Sequence, residues 1–213
     1  MKKALALIVA IVTLSTSMTF AQDAKAKAVL DKLSGKIKGM SSLKANFTFI
    51  AKDAKGKTQL NQKGTLMMKG EKYHVTVPAQ EMISDGKTMW TYMKKNKEVQ
   101  IANYSPADVT MSPTKLFSGS YANDFNYAYA GQQTINGKVV DIVYLTPKAT
   151  KTFKSVTILV DQSGMVMSGS VEEKNGSYYT YSLSSVQANA AASDALYTFD
   201  KKAYPGVEVI DLR

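Results

Sequence analysis

The spacing of the turns constrains this chain more than any other feature. From residue 43 onward, short runs of alternating apolar and polar residues are separated by compact turn signals. These are Asp53-Ala54-Lys55-Gly56, Lys69-Gly70-Glu71-Lys72, Asp85-Gly86, residues 94–97, Asn136-Gly137, residues 161–164 and Asn175-Gly176. Glycine tolerates positive φ, and Asp or Asn can hydrogen-bond its own backbone, so such signals reverse a chain within a few residues. A parallel crossover needs about a dozen residues or more, which these connections lack. The alternation therefore predicts an antiparallel meander of roughly eleven strands, within the range of one curled sheet or barrel.

Alternation also sorts the side chains. Leu43, Ala45, Phe47 and Phe49 share one face of the first strand, and Tyr73, Val75 and Val77 share one face of the third, which Pro78 ends. Trp90, the only tryptophan, shares a face with Tyr92 beyond the Asp85-Gly86 turn, and that face reads as apolar. His74 falls opposite Tyr73 and Val75 and reads as a solvent-side residue. The meander breaks once: residues 105–123, with Pro106, Pro113 and Gly119 around Leu116-Phe117, read as a loop with a short helix at 113–118. Toward the end, 188–195 reads as loop, 196–199 as a short strand and 203–213 as an extended tail.

Two segments precede the meander. Lys2 and Lys3, the apolar run 4–14 and the small, polar stretch 15–21 read as a secretory signal peptide, leaving residues 22–213 as one exported, soluble domain. Residues 23–40 then place Ala26, Val29, Leu30, Leu33, Ile37 and Met40 at helical spacing, with lysines between them and Gly39 as the stop.

Export permits disulfides, but the chain has no cysteine, so a hydrophobic core alone must hold it, and no lipid can be attached through one. The formal charge of +10 becomes 10 − 2 = +8 without Lys2 and Lys3, and Arg213 is the only arginine. Sequence-reading nucleic-acid sites lean on arginine, so this balance argues against a nucleic-acid partner. Catalytic constellations are lacking as well. His74 is the single histidine, Gly64, Gly70 and Gly86 do not precede a helix, and Glu172 and Glu173 face opposite ways on a strand. The usual zinc ligand sets cannot be assembled, and 161–164 is too short for a calcium loop. The reading is a non-enzyme without metal or cofactor. Methionine is abundant, including Met40, Met67, Met68, Met82, Met89 and Met93, and suits either gap filling or an adaptable apolar site.

The order of Leu43-Lys44-Ala45-Asn46-Phe47, Gly64-Thr65-Leu66, Lys72-Tyr73 and the run from Ser84 through Asp85-Gly86-Lys87 to Trp90 and Tyr92 resembles the LolA family of periplasmic lipoprotein carriers. Leu145-Thr146-Pro147-Lys148, Tyr197-Thr198-Phe199 and Pro205-Gly206-Val207-Glu208-Val209 extend the resemblance over most of the chain. It implies a mainly β (α+β) fold, an unclosed antiparallel β-barrel capped by an N-terminal helix and a short mid-chain helix. Its interior would hold lipoprotein acyl chains in transit from inner to outer membrane. The implied ligand-binding residues are Leu30, Leu33, Phe47, Phe49, Tyr73, Val75, Trp90, Leu116 and Phe117. The implied partners are lipidated proteins, an inner-membrane ABC-type lipoprotein-releasing transporter and an outer-membrane acceptor, met by a periplasmic monomer in transient membrane contact. Family members often carry an arginine that holds the lid closed at the turn corresponding to residues 69–72, where this chain has only lysines. A carrier or sensor of another lipid or envelope glycolipid, and a lipid-directed hydrolase, are the competing readings.

Overall fold

The computed structural model describes residues 23–104 and 121–213. The leader expected at 1–21 and the short helix expected at 113–118, with Leu116 and Phe117, lie outside the described residues. Helix α1, Ala24–Lys38, begins where Asp23 accepts hydrogen bonds from the backbone of Lys25 and Ala26, and it ends at Gly39. A first meander follows: β1 (Leu43–Lys52), β2 (Thr58–Lys69), β3 (Lys72–Thr76), β4 (Gln80–Ser84), β5 (Thr88–Met93) and β6 (Glu98–Asn103). After the one-turn helix α2 (Tyr121–Asp124) comes a second: β7 (Phe125–Ile135), β8 (Lys138–Pro147), β9 (Phe153–Asp161), β10 (Val166–Glu173) and β11 (Tyr178–Ala188).

Both meanders belong to a single sheet of twelve strands, joined where β1 pairs with β11, with β7 at one edge and the short β12 (Glu208–Asp211) at the other. Among the described residues no pairing connects the two edges, so the barrel is unclosed. Eleven of the strands are those that the turn signals mark off. The twelfth lies within the expected tail and pairs parallel to β6. The strand expected at 196–199 is instead covered in part by a 3-10 turn, Asp194–Tyr197.

The sheet wraps around α1. On its inner face Leu66 stands opposite Val75 and Met68 opposite Tyr73, while Val143 pairs with Ile158 and Leu145 with Val156. These join Ala26, Leu30 and Leu33 of α1 in one buried apolar cluster. Burying each leucine contributes about 1.5–3 kcal/mol, more than local helix propensity supplies, so α1 is stabilised mainly by this packing.

The outer face of β3–β6 is covered by the chain's last segment. His74, expected to face solvent, is largely buried there, with Nδ1 3.0 Å from the Leu196 carbonyl and Nε2 3.4 Å from Glu81. It does lie opposite Tyr73 and Val75, but the returning segment covers that face. Tyr92, Phe199 and Tyr204 cluster beside it, and the Tyr204 hydroxyl donates to Glu81 at 2.8 Å. Burial pushes the Glu81 carboxyl up, but the hydrogen bonds from Tyr204 and Lys94 outweigh it and leave its pKa below the ordinary value. Burial and the Glu81 acceptor push Tyr204 up to about 12.

Tyr204→Phe should therefore cost about 1.5–3 kcal/mol at neutral pH, as hydrogen bonds to charged groups do. A group with a depressed folded pKa contributes stability above its unfolded pKa and loses it as pH falls through the folded value. The gap between wild type and variant in thermal melts should thus narrow as pH falls below the ordinary glutamate range. A pH-independent gap would assign the loss to packing.

Candidate functional site

The inner face and α1 form the most extensive apolar region among the described residues. Leu30 and Leu33 come from α1, Phe47 from β1, and Tyr73 and Val75 from β3, all buried in the same cluster. Phe49 is half-buried against it, its ring 4.7 Å from Tyr181 and 6.1 Å from Tyr179. Burial pushes the hydroxyls of Tyr73 and Tyr181 up to about 12, so neither ionises near neutrality. Tyr127 contributes a buried hydroxyl without a hydrogen-bond partner among the described residues.

With α1 in place, these side chains are buried together, and Phe47 also borders an open cleft of about 590 Å³ with Gly64 and Val77. An open cavity of about 400 Å³ remains where the C-terminal end of α1 meets β1 and the β2–β3 turn. Ile37, Met40, Leu43 and Met68 give it an apolar floor, and Lys38, Ser42, Gly70 and Glu71 complete its wall. This volume is within the range of small-molecule sites. Sequence reasoning left these residues out of the site, although Met40 and Met68 carried a signal in the methionine content. Flexible thioethers suit an irregular space.

Trp90 does not join this interior. It stands opposite Ile83 on β4 and Ile101 on β6, whereas Val75 of the inner row stands opposite Met82 and Tyr73 opposite Ser84. The Ser84–Met89 pairing brings Met89 to the inner face and turns Trp90 outward. An acyl probe entering the interior should accordingly leave Trp90 emission unchanged in a fluorescence titration. A saturable shift matching the binding isotherm would return Trp90 to the site.

Helix α1 is tethered toward one side. Asp23 accepts from the Tyr129 backbone at 2.9 Å, Lys25 lies 4.1 Å over the Tyr129 ring, and Lys32 donates to the Gln162 carbonyl at 2.6 Å. The Tyr129 hydrogen bond leads those that hold the Asp23 carboxyl below its usual range. The turn at 69–72 does not hold α1 by its lysines, because Lys69 and Lys72 both pair with Asp194 on the outer segment. A basic tether exists, but it comes from the helix itself.

No group of three or more His, Cys, Asp or Glu residues is placed to hold a metal among the described residues. What the arrangement offers is burial: an apolar concavity, a tethered amphipathic cover and a partly open end. Those features define a class of half-open antiparallel barrels that shelter apolar matter beneath a helix. The sequence profile described as "Outer membrane lipoprotein carrier protein LolA" matches residues 38–200, and the chain belongs to that family. Proteins named outer-membrane lipoprotein carrier protein are similar to it. The one from Pseudomonas paraeruginosa is 28% identical over 96% of each chain, and the one from Sodalis glossinidius 30% identical over 84% of each. An uncharacterized conserved protein from Thermus thermophilus shares the fold at a TM-score of 0.59 and 7% identity, over 88% of this chain and 99% of that one.

Proposed function

We propose that this protein is a periplasmic carrier that takes the acyl chains of lipidated proteins between α1 and the inner face and yields them to an outer-membrane acceptor. The observation that carries this reading is the buried apolar cluster beneath a tethered helix, in a chain of the LolA family. Entry of a chain requires α1 to give way within the buried cluster that it shares with Leu66, Tyr73 and Val75. At about 0.8 kcal/mol per buried methylene, one chain of some fifteen methylenes would gain on the order of 12 kcal/mol, against which displacing α1 and ordering the complex must be set. That opposition keeps the transfer reversible. Residues 22–213 act as one domain in this reading, and an inner-membrane transporter supplies the cargo.

Titrating the mature chain with a synthetic acylated lipopeptide, and with the same peptide lacking acyl chains, tests the reading. Saturable binding of the acylated form alone is expected, and Met40→Glu at the half-buried rim of the cavity should weaken it at least about tenfold. Capture of free phospholipid without any acylated peptide would favour the carrier of another lipid.

A further inference from the structure

The end of the sheet away from the α1 C-terminus has a composition of its own. Three turns meet there, β1–β2, β8–β9 and β10–β11, and the first and third are close enough for a Cβ on Gly176 to lie 3.1 Å from the Ala54 side chain. Lys148, Lys151, Lys154 and Lys174 line one cleft of about 320 Å³ between the second and third turns. Lys52, Lys55 and Lys57 are exposed on the first.

Two nearby acids are engaged within this end, and one of them pairs with a lysine of the cleft. The Asp53 carboxylate is occupied by the Lys55 and Lys57 backbone N–H groups and by Gln59, and Glu172 pairs with Lys154 at 2.7 Å. Apolar surface reaches the same end. Leu60 and Tyr178 are 42% and 43% exposed, and Leu60 stands opposite Ala51, which stands opposite Tyr179. Two residues inward on β1, Phe49 faces Tyr181, so the apolar inner row runs continuously out to this rim.

We infer that this end of the barrel docks on an anionic phospholipid bilayer, with its lysines over the headgroups and Tyr178 and Leu60 at the interface. The inference rests on the carrier reading and gives it a surface and an orientation: the apolar inner row would meet the membrane at the Leu60 rim, and the cavity at the α1 C-terminal end would face away from it. Tyrosine favours the headgroup level because its ring is apolar and its hydroxyl polar. Lysine is depleted and arginine enriched in protein–protein interfaces, so a surface whose cations are all lysine suits a mobile field of lipid charge better than an acidic protein.

Flotation of the mature chain with phosphatidylglycerol–phosphatidylethanolamine vesicles, and with phosphatidylcholine vesicles, tests the assignment. Binding to the anionic vesicles alone is expected, with loss at high salt. At about fivefold per lysine near the surface, Lys55→Gln/Lys151→Gln/Lys174→Gln should weaken it on the order of 100-fold. Lys36→Gln/Lys87→Gln/Lys138→Gln, at the other end, should have far less effect. Equal loss in both triple variants, no binding to anionic vesicles, or binding only to an acidic protein would overturn the assignment. Lipopeptide titration of the first triple variant keeps the two proposals apart. Its acyl binding should match wild type, and failure of wild type to bind lipopeptide would strike the carrier reading alone.

Discussion

Leu33→Glu is expected to release α1 from the sheet and raise amide exchange across Ala24–Lys38 by two orders of magnitude or more. Leu33 is 0% exposed and lies in the cluster shared with β1, β3 and β8. The buried cluster around it holds no cation among the described residues, so an ionised carboxylate there must be protonated or leave with its helix. The removed leucine alone costs about 2–5 kcal/mol, and buried charge adds to it. The contacts of Asp23, Lys25 and Lys32 lie at the exposed side of the helix and are worth less than its packing. Hydrogen–deuterium exchange measured by mass spectrometry reads the result segment by segment. Protection in β8 and β9 should persist while α1 loses it. Loss across the whole sheet would mean that α1 cannot move independently, and unchanged protection would remove Leu33 from the core; either result defeats the description of α1 as a movable cover.

Gly64→Ala should lower the unfolding midpoint by about 3–10 °C. A Cβ at this position would lie 2.5 Å from Phe47 Cζ and 2.6 Å from the Thr76 carbonyl oxygen. The ring can rotate away, but the carbonyl belongs to the neighbouring β3 backbone and moves only if the sheet deforms. Overpacking of this kind costs about 1–3 kcal/mol, and in a domain of this size each kcal/mol shifts the midpoint by about 2–4 °C. Gly64→Ala/Phe47→Leu separates the two contacts, since it relieves the ring and not the carbonyl. Partial recovery is expected. Full recovery would make the backbone contact irrelevant, and an unchanged midpoint in Gly64→Ala alone would refute the close approach.

The parts of the fold legible in the sequence were those whose cause is local. Asp23 and Gly39 bound α1 because capping acts within a turn, and Asp85-Gly86 and Asn136-Gly137 reverse the chain whatever lies elsewhere. Leu30, Leu33, Phe47, Tyr73 and Val75 converge because strict periodicity assigns them to one side of their own elements. Trp90 was misplaced because its face relative to the core is inherited through the β3–β4–β5 register, and composition carries no register. The β12 pairing was out of reach for a related reason: its partner, β6, is far away in the chain and the two run parallel. Nor can periodicity tell whether apolar side chains line a space or fill it, which is why Ile37 and Met40, though assigned to the apolar face of α1, were left out of the site.

The seam between β1 and β11 has a consequence for biogenesis. The Ser184 hydroxyl reaches the Asn46 carbonyl across a separation of 138 residues, and α1 shares one buried cluster with strands of both meanders. A chain that emerges N-terminus first can close each hairpin as it appears, since those pairings are local. It cannot join its two halves until β11 has emerged. Until then the inner rows of β1–β3 lack their counterparts and stay open to water. The slowest and most aggregation-exposed stage of maturation should therefore fall late, at closure of this seam, and substitutions along β11 should impair yield more than equally destabilising substitutions in β4 or β5.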